Sequence, residues 1–414
     1  QNLYQAKRNH RRIQFAVFIF FLGKDTQIFS TYSKFLKMKI VHIWWCLSYG
    51  GIETMLVNIM NEQAKEANVS FIIINDKVET ELLHKISSDI KVIRIDRALG
   101  SKGFLFIRKL NAALYQLEPD IIHLHGSSIL NFLDSSWISR TCCTLHALPQ
   151  GKLGSVNRYQ SILQWALSKD KGNVRCYNRI KYIFSISHSV AETLQLRYGL
   201  YSKVIPNGII PGRFYHKVEA ADRPIFRIIQ VSRLEHEKKG QDLLIKALHL
   251  LKLQGFSHLN LTFIGGGESK AFLEELIREN QLEKEVHLMG AQSQDYIEKH
   301  LHEYDLFVQP SRREGFGLTV AEAMAAGVPV LVSSDQGPAE VIENGKYGWV
   351  FSNDDAKDLA EKIAFLSSHK EETLYKAMSA QEYVDKEYNV RTTALRYLKA
   401  YQDIIRDENH KNNI

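Results

Sequence analysis

The sequence predicts an α/β fold of two Rossmann-like, doubly wound domains that face each other across a cleft. Short apolar runs alternate with amphipathic segments in the first half, the alternation stops between residues 207 and 224, and a second alternating series follows. The length of 414 residues is sufficient for two domains of ordinary size. We therefore expect each domain to present the carboxyl ends of its parallel strands to the cleft.

The first series predicts parallel strands joined by helices. Residues 53–64 and 105–117 are amphipathic and are predicted as helices. The predicted strands span residues 40–45, 70–74, 92–95, 121–124, 141–145, 183–185 and 204–205. This order is typical of βαβ units.

The second series begins after a stretch without a clear period, which is punctuated by Pro206, Gly208, Pro211, Gly212 and Pro224. Residues 241–252 keep their apolar side chains on one helical face. The chain after Val350 is predicted to be mostly helical, ending with a helix over 391–405. The predicted strands span residues 225–231, 259–264, 286–288, 306–309 and 330–332.

The charge of the chain is concentrated at its beginning. The formal net charge is +7, and residues 1–37 contribute +6 through seven basic residues and one acidic residue. Residues 38–414 therefore carry +1, which disfavours a general attraction to nucleic acid. We expect no nucleic-acid partner.

The four cysteines are Cys46, Cys142, Cys143 and Cys176. They form no Cys-x-x-Cys pair and no zinc spacing, and a disulfide framework is unusual in a chain of this length. We expect buried, reduced thiols and a cytoplasmic setting.

Residues 13–22 form an apolar run, interrupted by Gln14, that follows a basic segment. This pattern resembles the start of a signal peptide, but no small-residue cleavage pattern follows, and the run is shorter than the roughly 20 residues that span a bilayer. Met38 begins the first predicted strand. We interpret residues 1–37 as a poorly ordered extension, with an interfacial anchor as the alternative.

The segment from Pro310 to Gly327 contains the most informative motif, Glu314-Gly-Phe-Gly followed by a predicted helix. Glu314 follows a strand, where open α/β sheets bind ligands. Gly315 and Gly317 allow backbone N–H groups to approach a phosphate at a helix N-terminus. Carboxylates such as Glu314 and Glu322 accept hydrogen bonds from sugar and ribose hydroxyls. The segment therefore predicts a nucleotide-sugar site.

The Glu-x7-Glu spacing, with Gly-Phe-Gly after the first acid and Ala-Met-Ala-Ala-Gly after the second, resembles the retaining GT-B glycosyltransferases of family 4. The resemblance covers roughly residues 38–405. Further matches occur in the family's order: Gly50-Gly51-Ile-Glu53, His123-Leu-His125-Gly, Thr144-Leu-His146, Pro206-Asn207-Gly208, Val231-Ser-Arg233-Leu, Lys239-Gly240 and Ile264-Gly265-Gly-Gly-Glu268.

With this resemblance we divide the chain into five parts. We expect residues 38–206 to form an N-terminal, acceptor-side domain and residues 225–388 to form the C-terminal, nucleotide-sugar-binding domain. Residues 1–37 are the extension and 207–224 the linker. Residues 389–414 are expected to form a helix that in the family crosses back to the first domain, followed by a tail.

The resemblance and the positions after strands together assign candidate site residues. The expected catalytic residues are Glu314, Lys239, Arg233 and His146. Arg233 and Lys239 are expected to stabilise the diphosphate leaving group, with Lys238 as a competitor. The expected donor-binding residues are Gly50, Gly51, Arg233, Lys239, Gly265, Gly266, Phe316, Gly317, Leu318 and Glu322.

Alternatives other than donor binding stay open for several of these positions. The Gly50-Gly51 pair can be a plain strand–helix turn, and Gly265–Gly267 can be a structural turn instead of a contact to the base. A packing role is favoured for His125. The two carboxylates also suggest a glycoside hydrolase pair, but a hydrolase has no need for a basic phosphate site.

The expected function is transfer of a hexose from a UDP- or GDP-sugar to an acceptor hydroxyl, with retention at the anomeric carbon. The resemblance implies a lipid-linked glycan acceptor of envelope or capsular polysaccharide synthesis, at the inner face of a membrane. The rival interpretations are a nucleotide-sugar epimerase and a non-catalytic nucleotide-sugar-binding protein. A nicotinamide dehydrogenase is disfavoured because no G-x-G-x-x-G follows a predicted strand.

The acidic residues give no indication of a metal site. No Asp-x-Asp motif lies at a strand end, and Asp354-Asp355 precedes a late helix that we expect to lie away from the cleft strands. We therefore expect an enzyme that needs no metal and no cofactor.

Overall fold

The computed structural model describes residues 37–48, 50–147, 177–217 and 224–411. Within them the first half forms a parallel seven-stranded sheet with the order β3-β2-β1-β4-β5-β6-β7. Its strands are β1 (Lys39–Trp44), β2 (Asn68–Asn75), β3 (Lys91–Arg97), β4 (Ile121–Leu124), β5 (Thr141–Leu145), β6 (Tyr182–Ser185) and β7 (Lys203–Val204).

The second half forms a parallel six-stranded sheet with the order β10-β9-β8-β11-β12-β13. Its strands are β8 (Phe226–Val231), β9 (Leu259–Ile264), β10 (Val286–Leu288), β11 (Leu306–Gln309), β12 (Val330–Ser333) and β13 (Trp349–Phe351). The predicted α/β class with two doubly wound sheets is confirmed.

Helices connect the strands of both sheets. Among the described residues of the first half, the helices are α1 (Gly51–Ala64), α2 (Thr80–His84), α3 (Leu105–Leu117) and α4 (His188–Tyr198). In the second half they are α5 (His236–Lys239), α6 (Gln241–Leu253), α7 (Lys270–Glu279), α8 (Gln294–His300), α9 (Leu318–Ala325), α10 (Gly337–Val341), α11 (Ala356–Ser368), α12 (Lys370–Glu387) and α13 (Val390–Lys411). Within the described residues, none of these helices is long and apolar enough to cross a bilayer.

Most predicted elements end within two residues of the observed ones, but β13 was missed. We expected mainly helix after Val350, whereas Trp349–Phe351 pairs in parallel with β12. The hydrophobic pattern of this strand is weak, because three residues give too little alternation to identify a strand. The expected extension lies outside the described residues except for Lys37, and Cys176 also lies outside them.

The long helix α13 packs against the first sheet. Tyr397 and Tyr401 are buried in the same apolar cluster as Ile40 and Leu56. The chain leading into α13 is held by a bridge between Ile209 and Asn389. The helix α13 therefore packs with β1 and α1.

The two sheets share an apolar core at the cleft. One cluster of buried side chains includes Val41 and Val190 from the first half and Phe316 and Val320 from the second. Because the carboxyl ends of parallel strands are where open α/β sheets bind ligands, this contact brings two ligand-binding edges together.

Candidate active site

Lys239 and Glu314 form an ion pair that joins two loops of the second sheet. Lys239 is the last residue of α5, and Glu314 lies in the loop between β11 and α9. The Lys239 Nζ donates to Glu314 Oε2. Both side chains are about one-fifth exposed, at 22% and 20%. Two expected catalytic residues from separate motifs are thus in direct contact.

Gly240 allows this contact. It lies at φ +70°, and a Cβ there would come within 2.0 Å of the Pro310 carbonyl oxygen. Any side chain at this position would push apart the loop that carries Lys239 and the loop that carries Glu314. The presence of glycine directly after Lys239 therefore has a steric reason.

Arg312 fixes the same junction and was not among the predicted site residues. Its guanidinium donates to both carboxylate oxygens of Asp242, at 2.8 and 2.9 Å. Its backbone N–H donates to the Lys238 carbonyl at 2.8 Å, and its Nε donates to Asp354 at 2.6 Å. The hydrogen bonds to Asp242 raise the pKa of Arg312 above its usual range. Bidentate Arg–carboxylate pairs are geometrically specific, so Arg312 holds the loop that precedes Glu314.

We expected Asp354 to lie away from the cleft strands, and its contact corrects that expectation. The carboxylate of Asp354 is bonded to Arg312, two residues before Glu314. The pairing is long-range in sequence, which is why spacing alone could not show it.

Arg233 lies on the exposed side of the same region. Its side chain is 68% exposed and donates to Glu235 at 2.9 Å. Glu235 also accepts from Lys238, at 2.9 Å. The hydrogen bond from Lys238 lowers the pKa of Glu235, against burial, with a further contribution from Arg233. Lys238 is thus directed to Glu235, while Lys239 reaches Glu314.

Glu322 lies in the second turn of α9, where its carboxylate is partly buried. The side chain of Gln294 donates to Glu322 Oε1 at 3.1 Å. Burial raises the pKa of Glu322 to about 7, with a smaller contribution from the nearby Glu298 carboxylate and against the hydrogen bond from Gln294. This carboxyl group therefore titrates near neutral pH, where a change in its surroundings changes its charge.

The start of α9 contacts the first half of the chain. A Cβ on Gly51 would lie 3.3 Å from Leu318 Cδ1, so the Gly50-Gly51 turn sits against the first residue of α9. Phe316 is buried and packs edge-on against Tyr388, with ring centroids 5.5 Å apart. Its side chain is part of the core, which leaves its backbone for any ligand contact.

His146 follows β5 and lies beside the Glu314 loop on the first sheet. A Cβ on Gly315 would lie 3.6 Å from the Cα of Ala147, the neighbour of His146. Ser187 Oγ donates to the Gly315 carbonyl at 2.7 Å, which ties the two sheets at this point. Burial lowers the pKa of His146 to about 4, so the imidazole is neutral at neutral pH.

His125 is buried between two other histidines. It is hydrogen-bonded to His42 and to His146, each at 3.0 Å. The packing role favoured for His125 is consistent with this position, but its direct link to His146 was not foreseen.

Gly265 and Gly266 hold the loop after β9. The Gly265 N–H donates to the Gly290 carbonyl at 2.8 Å, and the Gly266 carbonyl accepts from Leu234 N–H at 3.0 Å. These bonds account for a structural turn. A contact of this loop with a nucleotide base stays a prediction.

Two further residues outside the motifs make hydrogen bonds in this region, Gln336 to the Glu314 loop and Glu340 to α4. Gln336 Oε1 accepts from the Glu314 N–H at 3.0 Å. Glu340 accepts from the backbone N–H groups of His188 and Ser189, at 2.7 and 2.5 Å, at the N-terminus of α4. A carboxylate there is favoured by the helix dipole, and it links the two halves of the chain beside the site.

The geometry provides a defined set of chemical groups at one cleft. A primary ammonium and a carboxylate are paired on one sheet edge, a neutral imidazole lies on the opposite edge, and a second carboxyl group titrates nearby. Fixed cations of this kind stabilise a departing anion, and the carboxyl groups accept hydrogen bonds from hydroxyls.

Known glycosyltransferases are similar in sequence to part of this chain. The chain is 36% identical over 188 residues to the amylovoran biosynthesis glycosyltransferase AmsK of Erwinia amylovora, and 33% identical over 190 residues to the putative colanic acid biosynthesis glycosyltransferase WcaL of Salmonella typhimurium. Each match covers 44% of this chain and 46% of the relative, so the matched part is slightly less than half of either protein.

A solved structure shows the fold. The Anabaena protein Alr3699/HepE, crystallised with UDP and glucose, superimposes with a TM-score of 0.69 and 21% identity, covering 88% of this chain and 99% of that one.

Two family models match adjoining parts of the chain. Residues 49–213 match the model described as Glycosyltransferase Family 4, and residues 213–383 match Glycosyl transferases group 1. With the GT-B fold and the ordered motifs, these matches show that the chain belongs to the group 1 glycosyltransferases of family 4.

Proposed function

We propose that the protein is a retaining hexosyltransferase that moves a sugar from a UDP- or GDP-sugar to an acceptor hydroxyl. The observation that carries the proposal is the Lys239–Glu314 ion pair at the cleft, with His146 on the facing sheet edge. A nucleotide-sugar offers a diphosphate for the ammonium and hydroxyls for the carboxylate. One ligand therefore satisfies both members of the pair.

The ion pair suggests how the donor is engaged. When a diphosphate binds, the Lys239 ammonium exchanges the Glu314 carboxylate for phosphate oxygens. Glu314 is then free to accept hydrogen bonds from the sugar. Lys239 and the exposed Arg233 oppose the negative charge that grows on the leaving nucleoside diphosphate, which lowers the barrier electrostatically.

Retention and metal independence are parts of the same proposal. The leaving phosphate can assist deprotonation of the acceptor on the same face of the sugar, so that no side chain has to form a covalent intermediate. Lys239 and Arg233 supply the positive charge at the diphosphate that a metal ion would otherwise supply.

The proposed substrates draw on the relatives' names. AmsK and WcaL are named for the biosynthesis of amylovoran and colanic acid, and the HepE structure holds UDP and glucose. They support a nucleotide-sugar donor and a growing polysaccharide acceptor. We propose that this acceptor is a lipid-linked glycan in envelope or capsular polysaccharide synthesis at the inner face of the cell membrane.

A patch at the start of α3 supports contact with that membrane. Phe104 and Leu105 are 73% and 65% exposed, next to the exposed basic residues Lys102, Arg108 and Lys109. Apolar side chains among basic ones favour an anionic bilayer surface. We propose a cytoplasmic protein that is peripheral on the membrane through this patch.

The function is tested by product analysis in EDTA. Purified protein with UDP- and GDP-sugars and a lipid-linked acceptor should form a glycosylated product whose anomeric configuration, read by proton NMR, matches that of the donor. An epimerised donor without acceptor would identify an epimerase, and donor binding without any product would identify a binding protein. Turnover that requires added magnesium or manganese would contradict metal independence.

The division of labour between Lys239 and Glu314 predicts opposite effects on nucleotide affinity. Lys239→Ala should weaken binding of free UDP or GDP by about ten- to a hundredfold, since a hydrogen bond to a charged group is lost, and Arg233→Ala should weaken it less. Glu314→Ala should abolish most turnover yet leave nucleotide affinity unchanged or stronger, because Lys239 loses its competing partner. Calorimetric titration measures both, with Lys238→Ala as the matched control. Equal loss of nucleotide affinity in Glu314→Ala and Lys239→Ala would contradict the assignment.

The raised pKa of Glu322 predicts a pH-dependent nucleotide affinity. If ribose hydroxyls donate to its carboxylate, binding favours the ionised form, and a group with a pKa of about 7 becomes ionised as the pH rises. Affinity for UDP or GDP should then increase by up to about tenfold between roughly pH 6 and pH 8. Glu322→Gln cannot titrate, so the variant isolates the contribution of the nucleotide's own phosphate. Identical pH profiles for the two proteins would show that Glu322 does not bind the ribose.

Vesicle sedimentation tests the membrane patch. Phe104→Glu combined with Leu105→Glu should lower binding to phosphatidylglycerol-containing vesicles by at least about tenfold, because apolar contact is lost and like charge is added. The matched control is Tyr375→Glu combined with Met378→Glu, which places the same two charges on α12 at residues that are 77% and 53% exposed. Unchanged vesicle binding by the double variant would place the membrane contact elsewhere.

A further inference from the structure

A chain of hydrogen-bonded histidines runs from the core of the first sheet to the cleft. His42 on β1 and His125 after β4 are buried, and His146 after β5 is partly buried. His42 Nε2 lies 2.7 Å from Gln63 Oε1, His42 Nδ1 lies 3.0 Å from His125 Nε2, and His125 Nδ1 lies 3.0 Å from His146 Nε2. The proposed function uses only the last member of this chain.

The chemistry at Gln63 sets the direction of every bond in the chain. An amide oxygen only accepts, so His42 must carry its proton on Nε2, and its Nδ1 is a bare acceptor. His125 must then donate from Nε2, which leaves its own Nδ1 bare. His146 donates to that nitrogen from Nε2, and its Nδ1 is left without a proton.

All three imidazoles are neutral, which keeps this direction intact. Burial lowers the pKa of His42 to about 4 and that of His125 well below its ordinary value, with neighbouring histidines contributing to the shift of His125. A neutral imidazole has one donor and one acceptor nitrogen. A ring that donates from one nitrogen therefore accepts on the other, and this fixes the roles of the next ring in the chain.

The end of the chain is an unused acceptor. His146 Nδ1 is shielded from solvent and has no hydrogen-bond partner among the described residues. Buried polar atoms without a partner are uncommon, and this one belongs to a residue beside the Glu314 loop. A ligand that donates a hydrogen bond would satisfy it.

In the amide orientation on which the chain depends, the Gln63 amino group also has a hydrogen-bond partner, Tyr401. Gln63 Nε2 donates to the Tyr401 hydroxyl at 3.5 Å, and Tyr401 is in turn bonded to His123 Nδ1 at 2.6 Å. The other nitrogen of His123 is bonded to Thr144 Oγ1 at 2.7 Å. Rotation of the Gln63 amide would reverse the chain and turn His146 Nδ1 into a donor.

Two histidines of the chain, His42 and His125, also have the spacing of a metal site together with His123. The ring nitrogens of these three residues lie within 4.8 Å of one another. Every ring nitrogen of these three residues already has a hydrogen-bond partner. An ion would have to displace several of these bonds. The hydrogen-bonded chain is the better-supported interpretation.

We propose that Gln63, acting through His42 and His125, is a positioning residue that fixes the Nε2–H tautomer of His146, so that Nδ1 accepts a hydrogen bond from a hydroxyl of the transferred sugar. The inference rests on the proposed function for the identity of the ligand. The tautomer itself is a property of the protein without ligand.

Nitrogen NMR of the unliganded protein tests the tautomer first. In the ¹⁵N-labelled wild type, His146 should show a protonated Nε2 and a bare Nδ1 at neutral pH, identified by loss of its signals in His146→Gln. A protonated Nδ1 or a charged imidazolium would overturn the proposal. This measurement does not depend on sugar transfer, so its failure is distinct from failure of the proposed function.

Kinetics of Gln63 variants then test the role of the chain. Gln63→Leu removes the acceptor that faces His42 and should lower kcat/KM for the donor by about three- to tenfold, the effect of one neutral hydrogen bond, with free UDP affinity unchanged. Gln63→Glu keeps an acceptor there and should retain the wild-type tautomer and most of the activity. Tyr397→Phe is the matched control, because it loses a 3.0 Å bond to Thr144 Oγ1 in the same core but outside the chain. Equal activity in Gln63→Leu and Tyr397→Phe would overturn the proposal.

Discussion

The approach of Gly240 to the Pro310 carbonyl is the constraint on which the site depends. A Cβ would come within 2.0 Å of that oxygen, so the two loops meet only because residue 240 has no side chain. Their meeting puts the Lys239 ammonium against Glu314. Arg312 secures the same junction by bonding to Asp242 and Asp354. Steric fit and a bidentate ion pair together place one cation and one carboxylate side by side.

The opposite wall of the cleft is organised by neutral hydrogen bonds. Burial keeps His42, His125 and His146 uncharged because it lowers the pKa of each, and their order in the chain follows from the acceptor oxygen of Gln63. A buried polar network restricts geometry only when its members are satisfied. Here the Nδ1 atom of His146 remains unsatisfied among the described residues, at the end nearest the cleft. The two walls thus differ in kind: one offers charge, and the other offers an oriented neutral acceptor.

The sheets hold these walls together through direct contacts. The apolar cluster spans both halves, Ser187 bonds to the Gly315 carbonyl, and Glu340 caps the N-terminus of α4. The long helix α13 adds a return connection, since Tyr397 and Tyr401 pack in the core of the first sheet. The walls of the cleft are therefore built from residues far apart in sequence.

The sequence by itself determined the fold class, nearly all strands and the positions of the motifs, because apolar periodicity and glycine spacing are local properties. It also placed Glu314 and His146 after strands, where parallel sheets bring side chains to one edge, and Lys239 directly before Gly240 and a predicted helix. Only the tertiary structure decided which of these side chains touch. The Lys239–Glu314 pair, the anchoring of Arg312 by Asp354, the edge strand Trp349–Phe351 and the chain from Gln63 to His146 all join residues whose proximity depends on how sheets and helices pack. Hydrogen-bond direction and burial are set by that packing, which no local pattern records.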